Sequence, residues 1–216
     1  MHEHLGISRK TGLAWRHRFL GAAAKLPAED LGGIVEADEA YFLQSFKGDR
    51  GWKKGTPPAD RPPRYRGSGA VKRGLSSEQV PVVTALDRSD HLVQGVLASR
   101  TDEAISVLLS GQIEAGSLIC SDGHSSYPKI AKARSCEHRT IERPIHSEED
   151  KAIGLTKGTV GALGLGRVNS YHHSLKTSIN RIFRGVSTRF LPNYMALVKH
   201  VRKKLDPLIL IRTALA

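Results

Sequence analysis

Residues 32–42, GGIVEADEAYF, decide how this chain is read. The stretch has the apolar character of a β-strand, yet Glu36, Asp38 and Glu39 are embedded in it. An acid inside a strand is costly unless it is exposed, paired or bound to a cation. By the two-residue alternation of a strand, Glu36 shares a face with Asp38, and Glu39 lies opposite. Glu36 can assist a cation, but pairing or exposure is its expected role.

Outward from this strand, residues 79–87 (QVPVVTALD) and 91–98 (HLVQGVLA) predict a β-hairpin with Arg88, Ser89 and Asp90 at its turn. Thr101 is placed to cap a helix running to about Gly111. Residues 117–121, SLICS, form a short buried strand closed by Asp122 and Gly123. A helix from about Ser125 and a strand near residues 138–142 follow. Residues 143–166 read as irregular and end in GALGLG. Helix resumes near Val168, breaks at Arg184-Gly185-Val186 and returns over residues 191–204. Upstream, Ser8 caps a basic helix containing Trp15. It reads either as the second half of a helix-turn-helix, incomplete because its first helix would precede Met1, or as an ordinary amphipathic helix on the core. The order of elements predicts an α/β fold, a mixed sheet flanked by helices.

Among the 216 residues, 33 Lys plus Arg face 21 Asp plus Glu, a net charge of +12. Eleven of those charges follow Asp150, where Asp206 is the only acid. A second basic zone spans residues 47–73 in a Gly- and Pro-rich insertion at 44–74. Within it Lys53, Lys54, Arg64, Arg66, Lys72 and Arg73 are candidate phosphate contacts, and Trp52 a candidate base-stacking residue. In the C-terminal zone Arg181, Arg184, Arg189 and Lys203 are expected to touch DNA phosphates. This charge points to a polyanion, most commonly nucleic acid. No apolar run approaches the roughly 20 residues needed to cross a bilayer, and no leader peptide is seen, so no membrane role is expected. Two cysteines, neither in a C-x-x-C pattern, exclude a disulfide scaffold and argue against zinc. The expected compartment is the cytoplasm, in association with DNA.

The chemistry is expected from two aspartates. Asp38 lies within one strand and Asp122 closes another, where ligands of open α/β sheets commonly sit. Hard cations such as magnesium prefer oxygen ligands, and two of them can clamp the attacking and leaving oxygens of phosphoryl transfer. In VNSYHHSLKTSINR, Asn169 and Lys176 are seven residues apart and share one helix face. Asn169 offers a carbonyl oxygen, and Lys176 can hold a phosphate. His172 shares that face, while His173 points away. His124, two residues after Asp122, is a candidate to touch substrate, and His138 and His146 are candidates for the rim. Cys120 reads as a small buried apolar residue, and Cys136 has no partner in view.

Four pieces, VEADEAYF, VPVVTALDRSDHLVQGVL, SDGHSSYP and VNSYHHSLKTSINRIFRGVSTRFLPNYMA, occur in this order over about residues 32–200. In them the chain resembles bacterial DDE insertion-sequence transposases of the ISXO type, which have an RNase H-like catalytic core. The resemblance implies Asp38 as first ligand, Asp122 as second, Asn169 at the place of the usual Glu, and Lys176 at the basic position. Asn at the third place removes one negative charge from the site. Should the register differ, Glu142, Glu148, Glu149 or Asp150 would serve. The implied activity is DNA strand cleavage and strand transfer with two Mg2+ (or Mn2+) ions and no covalent protein intermediate. The implied partners are transposon ends and target duplex, bound by a homo-oligomer. The implied layout is a partial helix-turn-helix over 1–30, a catalytic domain over 31–205 with the insertion at 44–74, and a tail over 206–216. A copy that begins inside its helix-turn-helix is expected to be truncated. That keeps two alternatives open: a catalytically inactive DNA-binding remnant, and another RNase H-like nuclease.

Overall fold

The structure, a computed structural model, describes residues 2–48, 70, 72, 74–141 and 163–215. In chain order its elements are α1 (His2–Leu5), α2 (Arg9–Lys25), β1 (Ile34–Leu43), β2 (Gln79–Asp87), β3 (Leu92–Val96), α3 (Asp102–Leu109), β4 (Leu118–Ser121), α4 (Ser126–Ala133), β5 (Glu137–Thr140), α5 (Gly166–Thr177), α6 (Leu191–Arg202) and α7 (Pro207–Leu215). They form two compact units. One is built from the described residues of Ala28–Leu43 and Ala70–Lys176. The other is built from the described residues of Met1–Pro27, Gln44–Gly69 and Thr177–Ala216. Among the described residues no helix is long and apolar enough to cross a membrane.

The first unit holds a five-stranded sheet in the order β3-β2-β1-β4-β5. β1 is antiparallel to β2, and β2 to β3. β4 runs parallel to both β1 and β5. This is the α/β mixed sheet flanked by helices expected from the sequence, and the hairpin turns where predicted. Asp87, almost wholly buried, ties that turn by accepting the His91 backbone N–H at 2.9 Å. Asp90 takes the left-handed backbone conformation there, with φ +69°, a conformation Asp tolerates better than most residues.

Alternation along β1 sorts the two faces of the sheet. Val35 and Ala37 enter the main core with Ile105 and Leu109 of α3 and Tyr127 and Ile130 of α4. The even positions, Glu36 and Asp38, turn to the face where α5 lies. Helix starts follow local chemistry. Thr101 Oγ1 accepts the Ala104 N–H at 3.3 Å, and Asp102 and Glu103 place negative charge in the first turn of α3, where the helix dipole favours it.

At the sheet edge, His138 of β5 sets its Nε2 2.9 Å from Ser121 Oγ. Burial holds this imidazole below its ordinary value of 6.5. Between the lowered and ordinary values the unfolded chain binds more protons than the folded one. The contribution to stability is therefore complete above about pH 6.5 and declines as pH falls through that window. The thermal midpoint is expected to drop on acidification from pH 7.5 to 5, and less steeply in His138→Asn. An unchanged slope in the variant would refute this.

In the second unit, Ser8 Oγ accepts the Thr11 N–H at 3.0 Å and starts α2 as expected. α2 buries Leu20, Ala22 and Ala23 and packs against α6 and α7. Two polar contacts join these helices: His200 Nε2 to Ala23 O at 3.0 Å, and Arg18 Nε donating to Ala214 O at 2.6 Å. After a π-helical turn at Ser178–Ile182, Arg184 and Gly185 adopt positive φ and break the helix as predicted. Residues 206–216, read from sequence as a tail, carry α7.

Candidate active site

The parallel ladder between β1 and β4 pairs Ile34 with Leu118, Val35 with Ile119 and Glu36 with Cys120. Two steps further along the same register, Asp38 comes abreast of Asp122. Both carboxylates are then on one face, Asp38 midway along β1 and Asp122 just past the end of β4. Carboxylate oxygens of Asp38, Glu39 and Asp122 lie within 4.8 Å of one another. The ladder stops at Glu36–Cys120, and among the described residues no strand pairs with β1 beyond it on this side. There the Glu39 side chain approaches the aspartate pair, although its backbone position belongs to the opposite face.

Glu39 is the buried member of the group, Asp38 is half-buried and Asp122 exposed. The Tyr127 hydroxyl donates to Glu39 Oε1 at 2.6 Å, and Arg100 stands 3.8 Å from Oε2. Burial raises the Glu39 carboxyl above its ordinary value; the Tyr127 hydrogen bond opposes this rise and the nearby Asp122 carboxylate adds to it. Burial and the Glu39 carboxylate push the Tyr127 phenol far up in turn. It stays protonated and donates to Glu39. An all-oxygen set of close carboxylates, one of them desolvated, suits a hard divalent cation, whose charge would offset both desolvation and mutual repulsion.

His172 of α5 is buried, and its Nδ1 lies 3.6 Å from Asp38 Oδ2. Its Nε2 is buried without a hydrogen-bond partner among the described residues. Asn169 is one turn before His172 and Lys176 one turn after it, so the three are aligned along α5, and of them His172 is the one in contact with Asp38. Both Asn169 and Lys176 are exposed.

Glu36 does something the strand pattern alone could not reveal. Almost wholly buried, its Oε2 accepts the backbone N–H groups of Arg167 at 2.8 Å and Val168 at 3.1 Å. Its Oε1 pairs with Arg88 at 2.9 Å. A carboxylate facing free amides at a helix start is favoured by both hydrogen bonding and the helix dipole. The Arg167 guanidinium adds a hydrogen bond to Arg88 O at 3.0 Å and one to Asp90 at 3.0 Å. The first turn of α5 is thereby tied to β1 and to the hairpin turn, and so is the helix that carries Asn169.

Gly123 follows Asp122 with φ +93°, and a Cβ there would stand 2.9 Å from Thr140 Cγ2. Gly123→Ala is expected to destabilise the protein by about 1–3 kcal/mol through backbone strain and that contact. Denaturant unfolding measures this, and a loss below about 0.5 kcal/mol would contradict it.

The remaining expected residues fall into separate places. His124 is taken up near the start of α4, with Nδ1 2.8 Å from Ser126 Oγ and 3.7 Å from Asp102. His173 is exposed. Cys120 is fully buried, and Cys136 donates to Glu114 O. Arg181, Arg184 and Arg189 are exposed in the second unit, Lys203 is half-buried there, and Lys72 is exposed. Lys53, Lys54, Arg64, Arg66, Arg73, Trp52, His146, Glu142, Glu148, Glu149 and Asp150 lie outside the described residues. Sequence reasoning set Glu39 aside as opposite-facing and passed over Tyr127, although Tyr127 stands in the SDGHSSYP motif itself.

A family model described as an ISXO2-like transposase domain matches residues 30–200. No curated protein matches the chain. Among solved structures, a chain in the crystal structure of a pre-cleavage Mos1 transpososome is similar at 10% identity and a TM-score of 0.30, over 92% of this chain and 61% of that one. The chain thus spans less than two thirds of that neighbour's length.

Proposed function

The chain belongs to the ISXO2-like transposase family, and from that premise we propose that it is a DNA transposase that cleaves DNA strands and joins them to a target. The observation that carries this reading is the group of carboxylate oxygens from Asp38, Glu39 and Asp122 within 4.8 Å of one another. Asp38 and Asp122 are the principal ligands for Mg2+ or Mn2+, with Asn169 as the third, in an Asp-Asp-Asn variant of the DDE site. Bound there, a pair of such ions supplies activation of the attacking hydroxyl and stabilisation of charge on the phosphodiester.

The chain's own groups do the rest. Tyr127 holds the Glu39 carboxylate beside the pair. His172 packs against Asp38 and keeps α5 close to it. Lys176, on the face of Asn169, holds a DNA phosphate as a point charge. The exposed Arg181, Arg184 and Arg189, with Lys203, Lys72 and the basic positions of the insertion, grip the backbone without reading sequence. The partners are duplex transposon ends and target DNA, bound by a homo-oligomer in the cytoplasm.

The test is strand transfer of terminal-repeat DNA into a plasmid with Mg2+ or Mn2+. Joined product is expected from the wild-type protein. Hydrolysis without joining would favour a nuclease, and duplex binding without metal-dependent chemistry would favour a non-catalytic remnant. Duplex affinity is also expected to fall steeply with added salt, by about 10³-fold or more between 50 and 200 mM if six or more phosphates are contacted. A flat salt profile would overturn the phosphate-gripping role.

A further inference from the structure

The second unit contains a cavity of about 500 Å3 that the proposed chemistry does not use. Five segments build it. α2 contributes Leu13, Arg16 and His17, spaced three and four residues apart and so on one face. The helix break contributes Phe183 and Gly185, the 3-10 turn at Thr188–Phe190 contributes Arg189 and Phe190, and α6 contributes Tyr194. Lys47 closes one wall, its Nζ donating to Arg184 O at 3.0 Å and Gly185 O at 2.6 Å. This charge is directed to backbone carbonyls at the helix break, where a cation is favoured.

The lining is aromatic and cationic at once. The Arg16 guanidinium lies 5.8 Å from the Phe183 ring centroid and 5.4 Å from that of Tyr194. The Arg189 guanidinium lies 4.5 Å from the Phe190 centroid. His17 stacks on Phe190 with centroids 4.1 Å apart, and its Nδ1 is buried without a hydrogen-bond partner among the described residues. Burial, with Arg16 and Arg189 adding to it, holds this imidazole below its ordinary value, so it is neutral and can offer an acceptor or a donor to a polar edge. None of the lining residues is acidic.

We propose that this cavity binds one unpaired nucleotide of a DNA strand, its base stacked on the Arg16–Phe183–Tyr194 surface, its phosphate held by Arg189 and its polar edge met by His17. The size suits this ligand: the volume lies in the range of about 300–1,000 Å3 typical of small-ligand sites, larger than a phosphate needs and far too small for a duplex. The chemistry suits it too, because guanidinium and aromatic faces stack on any base and the cations favour an anion. The inference rests on the proposed function only in taking DNA as the partner, and needs none of the carboxylates around Asp38.

The experiment uses the full chain and oligonucleotides carrying 2-aminopurine, whose fluorescence is quenched on stacking. Quenching is expected with a single strand and with a duplex presenting the probe as a one-base bulge, and not when the probe is paired. dAMP is expected to compete, and inorganic phosphate at equal concentration is not. Phe183→Leu, which keeps apolar volume but removes the ring face, and Arg16→Gln, an exposed position, are each expected to weaken quenching about tenfold. Asp38→Ala is expected to leave it unchanged. Equal quenching of the paired probe, equal competition by phosphate, or wild-type quenching in Arg16→Gln would each overturn the proposal. Quenching without strand transfer would overturn the transposase reading alone, and strand transfer without quenching would overturn this one alone.

Discussion

Asp38→Ala is expected to lower metal-dependent strand cleavage by about 10³-fold or more, since charge stabilisation by a bound cation contributes several kcal/mol and each 1.36 kcal/mol is tenfold in rate. Asp38 sits midway along β1, its carboxylate near that of Asp122 just past the end of β4, and is the half-buried member of the carboxylate group. Duplex binding is expected to be unchanged, because the exposed basic residues that serve it lie elsewhere in the sequence. Folding stability is expected to hold or rise, since the substitution removes one of three acids whose oxygens lie within 4.8 Å and like charges at that distance repel. Cleavage rates under single-turnover conditions, together with denaturant unfolding, check both halves. Cleavage within tenfold of wild type would remove Asp38 from the site. A parallel fall in stability and rate would mean that the residue serves the fold.

Glu36→Ala is expected to do the opposite, costing about 3 kcal/mol of stability. The substitution deprives the Arg167 and Val168 amides of their acceptor and Arg88 of a buried partner. Amide exchange at Arg167 and Val168 is expected to quicken with it, which ties the loss to the start of α5. Glu36→Gln, which keeps an acceptor but loses the charge, is expected to fall between the two. A loss under about 1 kcal/mol for the Ala variant would show that the α5 start is held by other contacts.

Much of this molecule was legible in its sequence. The hairpin, the caps at Ser8 and Thr101, the helix break at Arg184-Gly185 and the strand closed by Asp122 all follow from signals carried by a few neighbouring residues. Asp38 and Asp122 stood out for the same reason: an acid in or at the end of an apolar strand is conspicuous wherever the strand lies. The alternation that put Glu36 on the Asp38 face also agrees with the structure.

Alternation could not say what Glu36 touches. Its partners are main-chain amides 131 and 132 residues away, and nothing near either segment announces them. Alternation put Glu39 opposite Asp38, as its hydrogen bond to Tyr127 on the core face agrees, but could not say how near its carboxylate comes to the aspartates. That nearness depends on where Asp122 stands after the ladder with β4 ends at Glu36, which pattern within β1 does not carry. The cavity around Arg16 and Phe183 gathers five segments, each unremarkable in sequence. Local pattern thus determined the strands, the caps and the two aspartates, because alternation and capping act over a few bonds. Tertiary structure decided which acids converge, what anchors the helix bearing Asn169 and where aromatic rings meet cations, because those depend on distances through space between residues far apart along the chain.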